Sequence, residues 1–262
     1  MTEAAKLFSD GEGYERLMGR WSQRVGAKFL DWLDQPKGLR WIDVGCGNGA
    51  FTETLIARCA PAAVTGVDPS EGQLAYARTR PATKLAQFRV ADAQSLPFPA
   101  NSFDAASMAL VITFIPDPVK AAAEIARVVR PGGWVATYMW DFPGRGFPLA
   151  PLVEALTSLG MPTPGGFNPE ASRADTMRAI WNEARLQSVD ITVVRSEVTY
   201  RDFTDFWDSN TAPIGPSGQA INALSPADRD RLKARVHELL PIAADGSIAY
   251  EAFANAVKGR VP

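Results

Sequence analysis

The chain has 262 residues, of which 46% are hydrophobic and seven are tryptophan, and it carries a formal net charge of −2 at pH 7. This composition is sufficient for a packed core and excludes a largely disordered chain. Lysine and arginine are scattered and the isoelectric point is near 5.6, so the sequence lacks the basic patch that nucleic-acid binding requires.

No membrane span, disulfide or metal site is predicted. No apolar run approaches the length that crosses a bilayer, and the polar N-terminus lacks the apolar core of a signal peptide, so we expect a cytoplasmic protein. The two cysteines, Cys46 and Cys59, flank a predicted helix and lie too far apart for a disulfide. No Cys or His cluster has the spacing of metal ligands.

The first half of the chain alternates between strand and helix patterns. The predicted strands are Leu39–Val44, Ala63–Val67, Leu85–Val90, Phe103–Leu110 and Trp134–Trp140. The predicted helices are Ser22–Leu33, Phe51–Cys59, Glu71–Arg80 and Val119–Val129. This alternation is typical of a doubly wound α/β fold with parallel strands and right-handed crossovers. On such sheets, ligands bind beyond the carboxyl ends of the strands.

The alternation stops after Trp140, where residues 141–169 are rich in proline and glycine. We predict helices at Leu149–Leu159, Ser172–Ala184 and Pro226–Leu240, strands at Val189–Val194 and Ser247–Val257, and a loop-rich, aromatic segment at 196–225. The pattern predicts one mostly parallel, seven-stranded sheet with helices on both faces and a helical cap inserted after strand 5. Aromatic side chains of this cap either line a pocket or form the cap's own core.

The segment Leu39–Ala50 carries the most informative motif. An apolar strand reaches Asp43, and glycines follow at Gly45, Gly47 and Gly49. Glycine tolerates positive φ and lets a ligand approach the backbone closely. Because a helical pattern follows at once, we expect free N–H groups at the helix N-terminus to face that ligand.

Three acidic residues indicate which ligand this is. The glycine spacing alone matches only the loose dinucleotide fingerprint, which leaves nicotinamide and flavin cofactors open. Asp43, two residues before the first glycine, would repel a pyrophosphate and suits a cationic amino group. Asp68 ends the second strand, where an acid can bind both ribose hydroxyls, and Asp92 follows the third, where it can accept a hydrogen bond from adenine. Together they indicate a nucleoside with a positively charged amino-acid tail, as in S-adenosylmethionine.

The ordered motifs resemble those of the class I S-adenosylmethionine-dependent methyltransferases. They comprise Ile42–Gly49, Gly66–Ser70, Ala91–Ala93, Phe98–Asp104 and Val128–Gly133, and the resemblance covers about residues 14–140. The last two resemble the branch that includes ubiquinone and menaquinone biosynthesis enzymes and many small-molecule methyltransferases. The resemblance implies a Rossmann-like fold, S-adenosylmethionine as cofactor with S-adenosylhomocysteine as product, and a small-molecule acceptor.

The resemblance also implies a set of site residues. The cofactor set is Asp43, Gly45, Cys46, Gly47 and Asn48 in the glycine loop, Asp68, Pro69, Ser70 and Gln73 after the second strand, Ala91, Asp92 and Ala93 after the third, and Ala109 at the end of the fourth. Tyr14 and Arg20 of the leader are expected at the methionine end, where an arginine can pair with the carboxylate. The resemblance says little about the acceptor, and we expect contacts with it from aromatic residues of the leader, of the segment after the fourth strand and of the cap: Trp21, Phe114, Trp140 and Phe147.

Several of these residues also have a purely structural interpretation. Asp43, Asp68 and Ser70 are alternatively helix or loop caps. Asp92 is alternatively a turn residue, and the aromatic residues of the leader are alternatively packing residues of the first helix.

The sequence assigns no catalytic residue. Many relatives carry a histidine before the Pro-Asp-Pro motif, but the segment Val111–Pro118 has none. His237, the only histidine, lies in a charged late helix, and Asp141, just past the fifth strand, is a better-placed acid. Methyl transfer from a sulfonium is an in-line displacement in which positioning supplies much of the acceleration, and a base is needed only if the acceptor must lose a proton.

We therefore expect a methyltransferase acting at O, N or C of a small, apolar or aromatic acceptor. Two alternatives stay open: a catalytically silent S-adenosylmethionine-binding partner protein and, disfavoured by Asp43, a nicotinamide-dependent oxidoreductase. The sequence leaves monomer and homodimer equally open. In this interpretation residues 1–38 fold over the cofactor, 39–140 bind it, 141–187 form the cap, and 188–262 complete the sheet and the substrate pocket.

Overall fold

The computed structural model describes residues 11–163, 168–212 and 215–262, with the backbone alone for 11–20 and 215–216. The strands are β1 (Arg40–Val44), β2 (Ala63–Asp68), β3 (Ala86–Val90), β4 (Phe103–Ala109), β5 (Val129–Trp140), β6 (Gln187–Tyr200) and β7 (Ile248–Arg260). The α-helices of the described residues are α1 (Gly11–Leu33), α2 (Ala50–Cys59), α3 (Glu71–Thr79), α4 (Pro118–Val128), α5 (Ala150–Ser158), α6 (Ala174–Glu183), α7 (Phe203–Asn210), α8 (Gly215–Asn222) and α9 (Pro226–Leu239).

The strands form one seven-stranded sheet in the order β3-β2-β1-β4-β5-β7-β6. Strands β1 to β5 are parallel, and β7 lies antiparallel between β5 and β6. The predicted doubly wound, mostly parallel sheet is confirmed. Because the strand order reverses between β1 and β4, the carboxyl ends of these two strands border a crevice, which is where such sheets bind ligands.

The alternation of side chains along the strands divides the core into two layers. On β1, Trp41 packs in the layer formed with α1 and α2, whereas Ile42 packs in the layer formed with α4 and α6. On β5, Tyr138 and Met139 divide between the two layers in the same way. Both faces of these strands are therefore buried, as expected for a parallel sheet covered by helices on each side.

A helical cap follows β5, as predicted, and the fold builds it from two separate insertions. Helix α5 packs against α9, which lies in the connection between β6 and β7. Helix α6 instead packs on α4 and on strands β6 and β7, so it covers the sheet itself. The cap thus combines a helix from the β5–β6 connection with a helix from the β6–β7 connection.

The largest difference from the sequence-based prediction lies in the segment 196–225, which was expected to be loop-rich. Strand β6 continues through Tyr200 and pairs with β7 along this length, and helices α7 and α8 follow. The buried Ser196 occupies an inward position between Val194 and Val198. A polar residue at that point interrupts the apolar alternation by which a strand is recognised in sequence.

Basic side chains of α1 bind the edge of the sheet that β6 forms. The ammonium of Lys28 donates to the carbonyl of Arg195 at 2.7 Å, and the guanidinium of Arg24 donates to the carbonyl of Glu197. An exposed strand edge is a template for pairing with other chains. These contacts satisfy part of the β6 edge and hold α1 against the sheet.

Helices long and apolar enough to cross a membrane are absent from the described part of the chain. Cys46 and Cys59 are both buried and are not joined in a disulfide.

Close packing of α6 on β7 depends on Gly259. A Cβ at this position would lie 2.8 Å from Trp181 Cδ1 and 2.9 Å from Leu186 Cβ. We expect Gly259→Ala to lower the free energy of unfolding by about 1–3 kcal/mol, because an overpacked core must shift. Urea denaturation would measure this change.

The matched control is Gly72→Ala in α3. Its Cβ would meet only Ser70 Oγ, at 3.9 Å. An alanine in a helix has higher helix propensity than glycine, so this variant should be more stable by about 0.5–1 kcal/mol. Equal unfolding midpoints for the two variants would contradict the packing described for Gly259.

Candidate active site

The glycine loop, Gly45–Gly49, connects β1 to α2 at the crevice. Its three glycines have φ values of +72°, +50° and +81°, a region that L side chains rarely adopt. A Cβ on Gly45 would lie 2.5 Å from Val111 Cγ2, so this glycine is required for the approach of the β4 loop. At Gly47 the nearest heavy atom is Gln73 Oε1 at 4.0 Å, which leaves an open cradle beside the backbone.

Most N–H groups of the glycine loop are engaged within the protein. The N–H groups of Gly45 and Cys46 donate to Val67 O, that of Gly47 to Asp68 Oδ2 and that of Gly49 to Cys46 O, at distances of 2.7–3.0 Å. These four N–H groups are therefore not free to bind a ligand, and the expected contact of the α2 N-terminus with a ligand stays a prediction. A pyrophosphate would need them, whereas a cationic group needs oxygen acceptors, which the loop retains in its carbonyls.

Asp43 is fully buried behind the glycine loop. Its Oδ2 accepts a hydrogen bond from the Thr52 hydroxyl at 2.6 Å, and its Oδ1 has no hydrogen-bond partner. Burial and the nearby negative charge of Asp68 raise the pKa of Asp43 to about 7, against the opposing effects of the Thr52 hydrogen bond and of the Ser107 hydroxyl on β4. A buried acceptor without a partner costs free energy until a donor or cation satisfies it.

Asp68 joins the glycine loop to the start of α3. Its Oδ2 accepts from the Gly47 N–H at 3.0 Å and its Oδ1 from the Ser70 N–H at 2.8 Å. Burial raises the pKa of Asp68, and these two hydrogen bonds partly offset the increase. Each carboxylate oxygen keeps acceptor capacity, so Asp68 can hold the loop and still receive a hydroxyl. Ser70 is the N-cap of α3, accepting from the Gln73 N–H at 3.4 Å.

Gln73 supplies a second buried oxygen at the cradle. Its side chain is 5% exposed, and its Oε1 has no hydrogen-bond partner. Gln73 Oε1 and Asp43 Oδ1 are thus two buried acceptors near the glycine loop that receive no hydrogen bond. Such a pair is matched by a ligand that carries N–H or O–H donors.

Cys46 and Asn48 serve the loop from its inner side. Asn48 is buried, and its Oδ1 accepts from the N–H of Ala50, the first residue of α2, at 3.1 Å. The Cys46 thiol lies against Gly66, where a Cβ would approach Sγ to 2.9 Å. Burial raises the pKa of the Cys46 thiol well above its usual range.

Asp92 lies in a turn at the end of β3. The Ala91 N–H donates to Asp68 O at 3.2 Å, which holds the ends of β2 and β3 together. Asp92 Oδ1 accepts from the backbone N–H of Gln94 at 2.8 Å, and Gln94 Oε1 accepts from the Asp117 N–H at 3.2 Å. Asp92 is therefore a turn residue. Its exposed side chain also lies at the carboxyl ends of the strands, as Asp68 does.

Partly buried apolar residues lie at the carboxyl ends of β4 and β5. We call the following residues the apolar seam: Ala109, Leu110, Val111, Phe114, Phe142 and Phe147. Ala109 ends β4, and the next residue, Leu110, has a φ of +59°, while its N–H donates to Tyr138 O at 2.9 Å. This turn directs Val111 onto Gly45. Leu110 and Phe142 pack against both core layers, so they mark the junction between them.

The four residues predicted to contact the acceptor lie in two environments. Trp21 and Trp140 are 1% and 3% exposed and pack edge to face with ring centroids 6.3 Å apart. The Trp21 indole N–H donates to the Tyr200 hydroxyl at 3.3 Å, while the Trp140 indole N–H has no partner. Phe114 and Phe147 are only partly buried. The tryptophans therefore belong to a packed aromatic core, and the two phenylalanines are the accessible members of the set.

The side chains of Tyr14 and Arg20 lie outside the described residues, although both positions belong to α1. Their contacts with the cofactor stay predictions. Pro69 and Ala93 lie in the turns that follow β2 and β3.

The two candidate acid–base residues have structural partners. Asp141 Oδ1 accepts from the Gly144 N–H at 2.8 Å and closes the loop after β5. The His237 ring lies 4.8 Å from that of Phe203, on α9. Within the described ranges, His, Cys, Asp and Glu side chains form no group of three that could hold a metal ion.

Three contributors to the site carry no signal in the sequence. Thr52 of α2 donates a hydrogen bond to Asp43 Oδ2, Val111 packs on Gly45, and Arg80 donates to the carbonyl of Asn48 at 2.7 Å. Each of these contacts joins two different elements. Periodicity within one element cannot reveal them.

Known proteins resemble this chain in sequence and in fold. Residues 42–137 match the family model for the methyltransferase domain. The chain belongs to the S-adenosylmethionine-dependent methyltransferase family. An O-methyltransferase of Penicillium expansum is 30% identical over 196 residues, which are 72% of this chain and 66% of that protein. The ubiquinone biosynthesis O-methyltransferase of Aromatoleum aromaticum is 37% identical over 112 residues, 40% of this chain and 47% of that protein.

A solved structure shares the fold of this chain. Phosphoethanolamine N-methyltransferase 2 of Haemonchus contortus, in complex with S-adenosyl-L-methionine, superimposes with a TM-score of 0.58 at 18% identity, over 96% of this chain and 56% of that chain. The chain spans about half to two thirds of the length of the two curated relatives named above.

The residues of the site fit S-adenosylmethionine. Asp43 Oδ1 and Gln73 Oε1 are buried acceptors without partners, and the cofactor carries an ammonium and two ribose hydroxyls as donors. The cradle beside Gly47 is open, and Asp68 retains acceptor capacity next to it.

Asp43 makes the folded protein less stable as the pH rises. Its pKa increases from 3.8 to about 7 on folding, so the folded chain binds a proton more tightly between those pH values. The stability from this proton is fully present below the lower value and is lost as the pH approaches 7. We expect Asp43→Asn to raise the free energy of unfolding at pH 8 by about 1–3 kcal/mol and to change it little near pH 4.

Chemical denaturation across this pH range measures the effect, and Asp104→Asn is the control of opposite sign. Asp104 accepts hydrogen bonds from Arg40 and Arg130, and the Arg40 guanidinium in particular holds its pKa well below the usual range. Its stabilisation is present at neutral pH and is lost in acid. Parallel stability curves for the wild type and Asp43→Asn would contradict the assignment of Asp43.

Proposed function

We propose that this chain transfers a methyl group from S-adenosylmethionine to O, N or C of a small, apolar or aromatic acceptor. The observation that carries the proposal is the glycine loop, whose N–H groups are engaged internally while a buried oxygen of Asp43 behind it lacks a partner. This arrangement favours a cationic amino-acid end over a phosphate. It also disfavours a nicotinamide cofactor.

The cofactor is proposed to bind along the carboxyl ends of β1, β2 and β3. Asp43 and the loop carbonyls would receive its ammonium, Asp68 its ribose hydroxyls and Asp92 its adenine amino group. Tyr14 and Arg20 are proposed for its carboxylate end. When bound, the cofactor supplies an electrophilic methyl group on a sulfonium.

The acceptor is proposed to lie on the apolar seam at the ends of β4 and β5. Its partly buried members are Ala109, Leu110, Val111, Phe114, Phe142 and Phe147. This set has no titratable side chain, which suits an acceptor held by apolar contacts and oriented in a water-poor site. The chain's own contribution is then positioning and exclusion of water, with the leader (1–38) and the cap (141–187) closing over the two ligands and 188–262 completing the substrate pocket.

Binding of S-adenosylhomocysteine tests the cofactor assignment. We expect calorimetry to detect saturable binding to the full chain, and Asp68→Ala to weaken it by about 100-fold, because the variant loses the acceptor for the ribose and the anchor of Gly47. The matched control is Asp175→Ala, an acid with an 82% exposed side chain on α6, which should bind like the wild type. The absence of binding by the wild type would overturn the proposal.

Turnover distinguishes an enzyme from a silent binding protein. The chain is incubated with methyl-labelled cofactor and a panel of phenols, amines and carbon acids, and labelled product is measured. We expect transfer to an apolar or aromatic member of the panel. Cofactor binding without transfer to any acceptor would instead support the silent partner protein.

A further inference from the structure

Both ends of helix α3 contact the proposed cofactor site. The helix begins at the N-cap Ser70, beside Asp68, and its last turn packs on the glycine loop. A Cβ at Gly49 would lie 3.0 Å from Ala77 Cβ and 3.6 Å from Arg80 Cδ. Residue Arg80, which directly follows the helix, therefore lies against the outer side of the loop.

The Arg80 guanidinium connects three elements at this point. Its Nε donates to the carbonyl of Asn48 at 2.7 Å, and its Nη1 donates to Glu53 Oε2, in the first turn of α2, at 2.8 Å. Its Cζ also lies 5.5 Å from the centre of the Tyr76 ring on α3. The Arg80 guanidinium thus contacts the glycine loop, helix α2 and helix α3.

The environment of Arg80 differs from that of the neighbouring Arg78. The Arg80 side chain is 12% exposed, whereas that of Arg78, which pairs with Glu71 on the same helix, is 43% exposed. The carboxylate of Glu53 neutralises the Arg80 charge at contact distance. The effect of Arg80 on a cationic ligand is therefore geometric and not a repulsion.

We propose that Arg80 is the positioning residue of the cofactor loop and acts through the Asn48 carbonyl. Fixing this carbonyl fixes the peptide between Asn48 and Gly49. That peptide directly precedes the positive φ of Gly49 and lies one residue after Gly47, whose N–H is directed at Asp68. A guanidinium is suited to this because its donors have fixed directions and serve two acceptors at once. The inference rests on the proposed function for the identity of the ligand.

The test compares Arg80→Met with Arg78→Met in the full chain. Calorimetry with S-adenosylhomocysteine, below the unfolding range of both variants, should show affinity weakened about tenfold to a hundredfold for Arg80→Met and within about twofold of wild type for Arg78→Met. Hydrogen exchange without ligand should speed up at residues 45–50 in Arg80→Met and stay unchanged in β4. Unchanged affinity in Arg80→Met, even with a lowered unfolding midpoint, would overturn the proposal.

Two further variants keep the test decisive if Arg80→Met folds poorly. Glu53→Gln keeps the arginine but removes its anchoring charge, and it should weaken binding by about threefold to tenfold. Arg80→Lys should recover part of the affinity lost in Arg80→Met, because an ammonium reaches only one of the two acceptors. If the wild type itself fails to bind S-adenosylhomocysteine, the proposed function fails, and the loop exchange rates still decide the role of Arg80.

Discussion

The candidate site depends on hydrogen bonds that the glycine loop donates to the neighbouring strand. The N–H groups of Gly45 and Cys46 are bound by Val67, and that of Gly47 by Asp68. These N–H groups are therefore engaged inside the protein and are not free to bind a phosphate. The same bonds fix the positive φ angles that only glycine adopts readily, so the ligand preference and the glycine spacing have one physical origin.

The buried carboxylate behind the loop shows how function and stability oppose each other here. Asp43 has no solvent exposure and one oxygen without a partner, and its pKa is raised to about 7. An apolar residue at the end of β1 would be expected to stabilise a strand that is otherwise buried on both faces. In the proposed function, the ammonium of the cofactor would supply the missing partner and offset part of the desolvation cost.

The acceptor side is built from elements that are distant in sequence. Helix α5 after β5 meets α9 between β6 and β7, and basic side chains of α1 hold the edge of β6. Trp21 and Trp140 join these parts in an aromatic core instead of lining a pocket. The accessible apolar surface lies instead at the ends of β4 and β5, where the acceptor is proposed to bind next to the glycine loop.

The sequence by itself determined the sheet, the glycine loop and the acids at the strand ends, because each is a local pattern: apolar runs, glycine spacing and a charge after a strand. It did not determine which way the loop N–H groups point, since this depends on Val67 and Asp68 of another strand. Nor did it reveal the continuation of β6, because the inward Ser196 interrupts the alternation. Contacts such as Arg80 to Asn48 join elements whose relative position only the packed sheet sets, so only the tertiary structure decided them.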